Sequence, residues 1–165
     1  MKVVAIFLLL IATSVSVETR SSEVEPLSKL NGLIEENQGK VIYLDFWASW
    51  CVPCRQSFPW LNQMQKKYES DGFVVIAVNL DEETINASKF LQKWPANFPV
   101  IYDSKGITAS HYQLKGMPTS FILDRRGNIA VNHVGFFGSK LTDYEQQIVT
   151  LLKTQSLKKG ASNES

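Results

Sequence analysis

Cysteine is scarce in this chain: Cys51 and Cys54 are the only two among 165 residues. A zinc site would need two further soft ligands, and the two histidines, His111 and His133, lie far apart and out of ligand spacing. Covalent haem attachment would need a histidine directly after the second cysteine, where Arg55 stands. That chemistry is excluded. An excess of one charge is also missing. Lys plus Arg is 17 against 16 Asp plus Glu, with no basic stripe, so nothing electrostatic points to nucleic acid. No repeat or low-complexity block is present. No apolar run is long enough to span a bilayer comfortably. The stretch Val3 to Ala12, with Met1-Lys2 before it and Thr13-Ser14-Val15-Ser16 after it, instead has the layout of a secretory signal. Residues 1–16 are therefore expected to be a signal peptide, cleaved or kept as an anchor. Export would place both thiols in an oxidising compartment, most simply a bacterial periplasm.

The two cysteines stand two residues apart, as Cys51-Val52-Pro53-Cys54, just after the apolar run Val41–Trp47. A dithiol where a strand feeds a helix has the geometry of a thiol–disulfide exchange site. If Pro53 opens the helix, its missing N–H costs nothing there, and Cys51 lies at the N-terminus with Cys54 in the first turn. Unpaired N–H groups and the positive end of the dipole then favour a thiolate on Cys51, the attacking sulfur. Cys54, on about the same face, can reach back to resolve a mixed disulfide. The competing account is a purely structural bridge, although so short a loop constrains the unfolded chain little.

Asp45 lies six residues before Cys51, between the apolar Leu44 and Phe46. Buried, its carboxyl would have a raised pKa and could exchange a proton with Cys54. Alternation equally allows a solvent-facing strand aspartate.

The segment Phe46-Trp47-Ala48-Ser49-Trp50-Cys51-Val52-Pro53-Cys54-Arg55 resembles the active-site segment of the thioredoxin superfamily, and Gly116-Met117-Pro118-Thr119 resembles its cis-proline segment. The resemblance implies a cis Met117–Pro118 bond, with the Met117 backbone pairing with an extended substrate. It also implies proton handling by Asp45 and flanking aromatics at Trp47 and Trp50. Trp50, Val52, Pro53, Met117, Pro118 and Gly135 are the expected substrate-binding residues, while Trp47 and Pro59 are structural neighbours, Pro59 at a helix kink. Ala77-Val78-Asn79-Leu80-Asp81, Asn97-Phe98-Pro99-Val100 and Phe121–Gly127 resemble the TlpA/ResA branch of exported thioredoxin-like proteins. That branch is associated with reducing disulfides outside the cytoplasm, including those of apocytochrome c. Many members carry a glutamate three residues after the second cysteine; here Ser57 holds that position.

The expected fold is α/β: a thioredoxin fold with a central mixed sheet flanked by helices and an extra strand–helix insertion before the cis-proline. A polar linker (17–25), a thioredoxin-like domain (26–153) and a polar tail (154–165) complete the reading. A helix carries Leu30, Leu33 and Ile34 as far as Gly39. Strands are expected at Val41–Trp47, Phe73–Leu80, Phe98–Tyr102, Thr119–Leu123 and Ile129–Val134, and helices from the CxxC to near Tyr68, at Thr84–Lys93 and at Ile107–Tyr112. Ser139 is the expected cap of the last helix. The implied partners are protein disulfide substrates and a membrane electron donor. No cofactor or metal is expected, and with no assembly motif the default is a monomer.

Overall fold

The computed structural model describes residues 18–154. The secretory-type segment 1–16 and the tail beyond Thr154 lie outside the described residues. Helix α1 (Glu18–Glu36) leads to strand β1 (Val41–Trp47), helix α2 (Val52–Tyr68) and strand β2 (Phe73–Asn79). Helix α3 (Thr84–Lys93), strand β3 (Val100–Tyr102) and the short helix α4 (Ile107–His111) follow. The hairpin β4 (Thr119–Leu123) and β5 (Ile129–Val134) and helix α5 (Leu141–Thr154) close the domain. The sheet order is β3-β2-β1-β4-β5, with β1, β2 and β3 parallel, β4 antiparallel to β1 and β5 antiparallel to β4. This is the mixed sheet expected, and the insertion after β2 supplies α3 and then the edge strand β3.

Every residue of β1 and β2 is buried, because both faces of the central sheet are covered. Val41, Tyr43 and Trp47 point to one face, packing with α2, α3 and α5. Ile42, Leu44 and Phe46 point to the other, against Leu30, Leu33 and Ile34 of α1. Aromatic rings dominate the first face: Trp47 meets Phe58 at 4.7 Å and Phe90 at 4.6 Å between centroids. Burying each such ring stabilises by roughly 1.5–3 kcal/mol, and these rings belong to the same buried cluster as the two cysteines.

The element boundaries differ from the sequence reading in a few places. α1 starts at Glu18, within the stretch whose polarity suggested a linker, and Pro26 lies inside it; an interior proline removes one hydrogen bond and need not end a helix. β3 is limited to Val100–Tyr102, although the Pro99 carbonyl still accepts the Ala77 N–H at 2.9 Å. Ser139 does not cap α5. It lies within a 3-10 turn, Gly138–Lys140, that runs directly into the helix. Arg125, noted in the sequence only within the segment Phe121–Gly127, ties the β4–β5 loop to the turns before β1 and β2 and to the last turn of α5. Its guanidinium donates to the carbonyls of Gly39 (2.8 Å), Asp71 (2.9 Å) and Leu152 (3.3 Å). Gly72, at φ +84°, leaves the room this needs, since a Cβ there would lie 2.7 Å from the guanidinium.

Candidate active site

Cys51 occupies the N-cap of α2 in an extended conformation, and its Sγ accepts the Cys54 N–H at 3.3 Å. Val52 and Pro53 are the first two helical residues, so the proline falls where no N–H is needed. The first turn holds no acidic side chain, leaving the positive end of the helix dipole unopposed at the sulfur. Cys51 and Cys54 form a disulfide with Cα atoms 5.3 Å apart. Both are buried, but the residues around them are not: Trp50 is 63% exposed and Val52 61%, with Pro53 half-buried. Exposed apolar side chains thus flank the buried bridge along the chain.

The Met117–Pro118 bond is cis, as the resemblance implied. Met117 packs against the core cluster that holds both cysteines. The segment is fixed from two sides. Thr119 Oγ1 donates to the Gly116 carbonyl at 2.7 Å, and the Gly135 N–H donates to the Pro118 carbonyl at 2.7 Å. Gly135 is required at this point: its φ is +84°, and a Cβ would lie 3.0 Å from the Phe137 ring. The glycine that sequence placed beside the groove therefore anchors the cis-proline loop to the end of β5.

Asp45 is 2% exposed, which decides between the two sequence readings in favour of burial. By alternation it shares the face of Tyr43 and Trp47, whose side chains join the cysteine-bearing cluster. Its Oδ2 has no hydrogen-bond partner. Burial pushes its carboxyl well above the usual carboxylate range. Ser57 is buried, and its hydroxyl donates to the Cys54 carbonyl at 3.1 Å, so no acid enters from that side. Trp47 lies wholly in the core with its indole N–H unpaired, and Pro59 lies inside α2 with its ring exposed.

Sequence reasoning missed Asp81 as a participant. Buried just beyond β2, its carboxylate accepts the Ser49 N–H at 3.0 and 3.2 Å, the Ser49 hydroxyl at 2.8 Å and the Asn79 side-chain amide at 2.8 Å. Ser49 is two residues before Cys51, so this clamp fixes the loop that leads into the CxxC segment. The only signal was the string Asn79-Leu80-Asp81, noted for its resemblance and not for a contact 32 residues distant in sequence.

Comparison with known proteins agrees with this geometry. The model of the Redoxin family matches residues 31–148. The thioredoxin-like protein YneN of Bacillus subtilis is 37% identical over 127 residues, covering 74% of this chain and 71% of YneN. The thiol-disulfide oxidoreductase ResA of Geobacillus thermodenitrificans is 31% identical, over 62% of this chain and 61% of ResA, so the chain spans about three fifths of that relative. A crystal structure assigned as thiol:disulfide interchange protein DsbE of Chlorobium tepidum superimposes with a TM-score of 0.71 at 55% identity, covering 72% of this chain and 84% of that one. With a CxxC pair at a helix N-terminus, a cis-proline segment packed through Met117 against the cluster that holds both cysteines, and a thioredoxin-like sheet, the chain belongs to the redoxin family and is similar to the thioredoxin-like YneN and the thiol-disulfide oxidoreductase ResA.

Proposed function

We propose that the protein is an exported, monomeric reductant of protein disulfides. The observation that carries this reading is Cys51 at an N-cap free of acidic neighbours, its sulfur held by the Cys54 N–H and flanked along the chain by exposed apolar side chains. In the reduced form the Cys51 thiolate attacks one sulfur of a substrate disulfide. A mixed disulfide forms and the first substrate thiolate leaves. Cys54, deprotonated by Asp45, then attacks Cys51 Sγ; the second substrate thiolate leaves, and the protein ends as the Cys51–Cys54 disulfide. Two electrons pass to the substrate, and no cofactor takes part. The backbone beside cis-Pro118 pairs with an extended substrate segment, against which Trp50, Val52 and Pro53 pack.

The layout of residues 1–16 supports export, and an exported reductant must be re-reduced by a donor in the membrane. The substrate range is general and not confined to apocytochrome c, a reading supported by Ser57 in place of the glutamate of many TlpA/ResA proteins. The test is reduction of insulin disulfides by dithiothreitol. Wild type is expected to accelerate it at least about tenfold and Cys51→Ser not at all. Inactivity of both would make the disulfide a fixed staple in a binding module.

A further inference from the structure

Deprotonation of Cys54 inside the core leaves a proton on a carboxyl that is itself sealed from water, and the sheet carries a row of polar groups leading away from it. Asp45 on β1 pairs in register with Ser120 on β4, and Ser120 pairs in register with His133 on β5. Residues directly opposite in antiparallel strands share a face, with Cβ atoms about 4.5–5.5 Å apart. The three side chains therefore form one transverse line on the face that holds the cysteines.

From Ser120 outward the line is hydrogen-bonded, while Asp45 meets Ser120 through strand register and not through a hydrogen bond. The Ser120 hydroxyl lies 2.8 Å from the Tyr43 hydroxyl and 3.5 Å from His133 Nδ1. His133 Nε2 lies 2.8 Å from Gln147 Oε1 on α5. An amide oxygen only accepts, so Nε2 carries the ring proton and Nδ1 is the acceptor facing Ser120. The direction of the chain follows: Tyr43 donates to Ser120, Ser120 to His133, and His133 to Gln147. Asp45 and Ser120 are buried, while His133 and Gln147 are half-buried at the surface.

We propose that Ser120 and His133 form the proton path between Asp45 and solvent, with His133 a positioning residue that acts on the reaction through Asp45. This rests on the role given to Asp45 in the proposed function. The Cys54 thiol gives its proton to the Asp45 carboxylate. Once the Asp45 carboxyl turns onto its register partner Ser120, it passes a proton to Ser120 Oγ as the Ser120 proton moves to His133 Nδ1, and the imidazolium returns one to water, restoring the neutral ring. No electrons move in this step. The charged and titratable groups facing His133 are Lys140 from the turn before α5, Tyr144 from α5 with ring centroids 4.7 Å apart, and, through Ser120, Tyr43 and Asp45 from β1. Burial first, and the Lys140 charge with it, hold the imidazole below its ordinary value despite the Gln147 bond. A neutral ring is therefore ready to accept.

The experiment mixes the reduced full-length protein with oxidised glutathione and follows the two steps by rapid acid quench and mass measurement. The first step, attack by Cys51, depends on glutathione concentration; the second, resolution by Cys54, does not. His133→Ala and His133→Asn are expected to slow the second step about tenfold or more, leave the first as the internal reference, and flatten the dependence of the second on pH near neutrality. Added imidazole should restore the rate in His133→Ala, whose vacated position is half-open to water, but not in Ser120→Ala, which interrupts the row deeper in the sheet. A wild-type second step in both His133 variants, or a loss that imidazole leaves untouched, overturns the relay. Absence of any reaction in the wild type overturns the functional reading itself.

Discussion

Cys54→Ser is expected to leave the protein covalently joined to its substrates through Cys51, while Cys51→Ser yields no adduct. The structure supplies the asymmetry. Cys51 Sγ sits at the N-cap, where it accepts a backbone N–H, whereas Cys54 is wholly buried one turn in. The helix terminus lowers the cost of a thiolate at the first position and does less at the second. With serine at 54 the first exchange proceeds and nothing releases the product. Multiple-turnover exchange should fall by at least about 10³-fold in either variant, yet only Cys54→Ser should show a mass increase that dithiothreitol removes. Non-reducing electrophoresis followed by mass measurement reads this directly. Adducts on Cys51→Ser of equal abundance would remove the distinction between the two cysteines, and adducts on Cys51→Ser alone would reverse their roles.

Asp45→Asn is expected to make the protein more stable and a poorer catalyst. Burial raises the folded-state pKa of Asp45, and its Oδ2 has no partner to offset that cost. Between the unfolded value of about 3.9 and the raised folded value, the folded state binds more protons than the unfolded one. Stability therefore falls as pH rises through this window. The neutral amide removes that slope. Denaturant titration should show Asp45→Asn more stable by about 1–3 kcal/mol at pH 8, the two proteins converging near pH 3, where both side chains are uncharged. The Cys54-dependent step should slow by about 10²-fold. Equal stability at pH 8 would mean that the carboxyl is solvated in the folded protein and is not the buried base.

The sequence made the site's chemistry legible because its two motifs are local: CxxC after a strand of seven residues, and a proline ahead of a short strand. It did the same for most elements, whose apolar spacing survives in the structure to within a residue or two. What it could not resolve depends on register between distant strands. Asp45 alternates with Leu44 and Phe46, and only the covering of both faces of β1, by α1 on one side and by α2, α3 and α5 on the other, shows that alternation here does not mean exposure. The Asp81 clamp on Ser49 and the line from Asp45 through Ser120 to His133 join β1 and its following loop to segments far along the chain. Nothing in the spacing of those residues announces either arrangement. Ser139 failed as a cap for a local reason, since the preceding turn is already helical and leaves no extended position for it.

The equilibrium reduction potential of the Cys51–Cys54 pair, measured in defined glutathione or dithiothreitol buffers, tests the central claim most directly. A reductant held ready by a membrane donor should have a potential near that of thioredoxin, about −270 mV. A value near about −120 mV, that of a strong oxidant, would contradict the account and make the protein a donor of disulfides to newly exported chains.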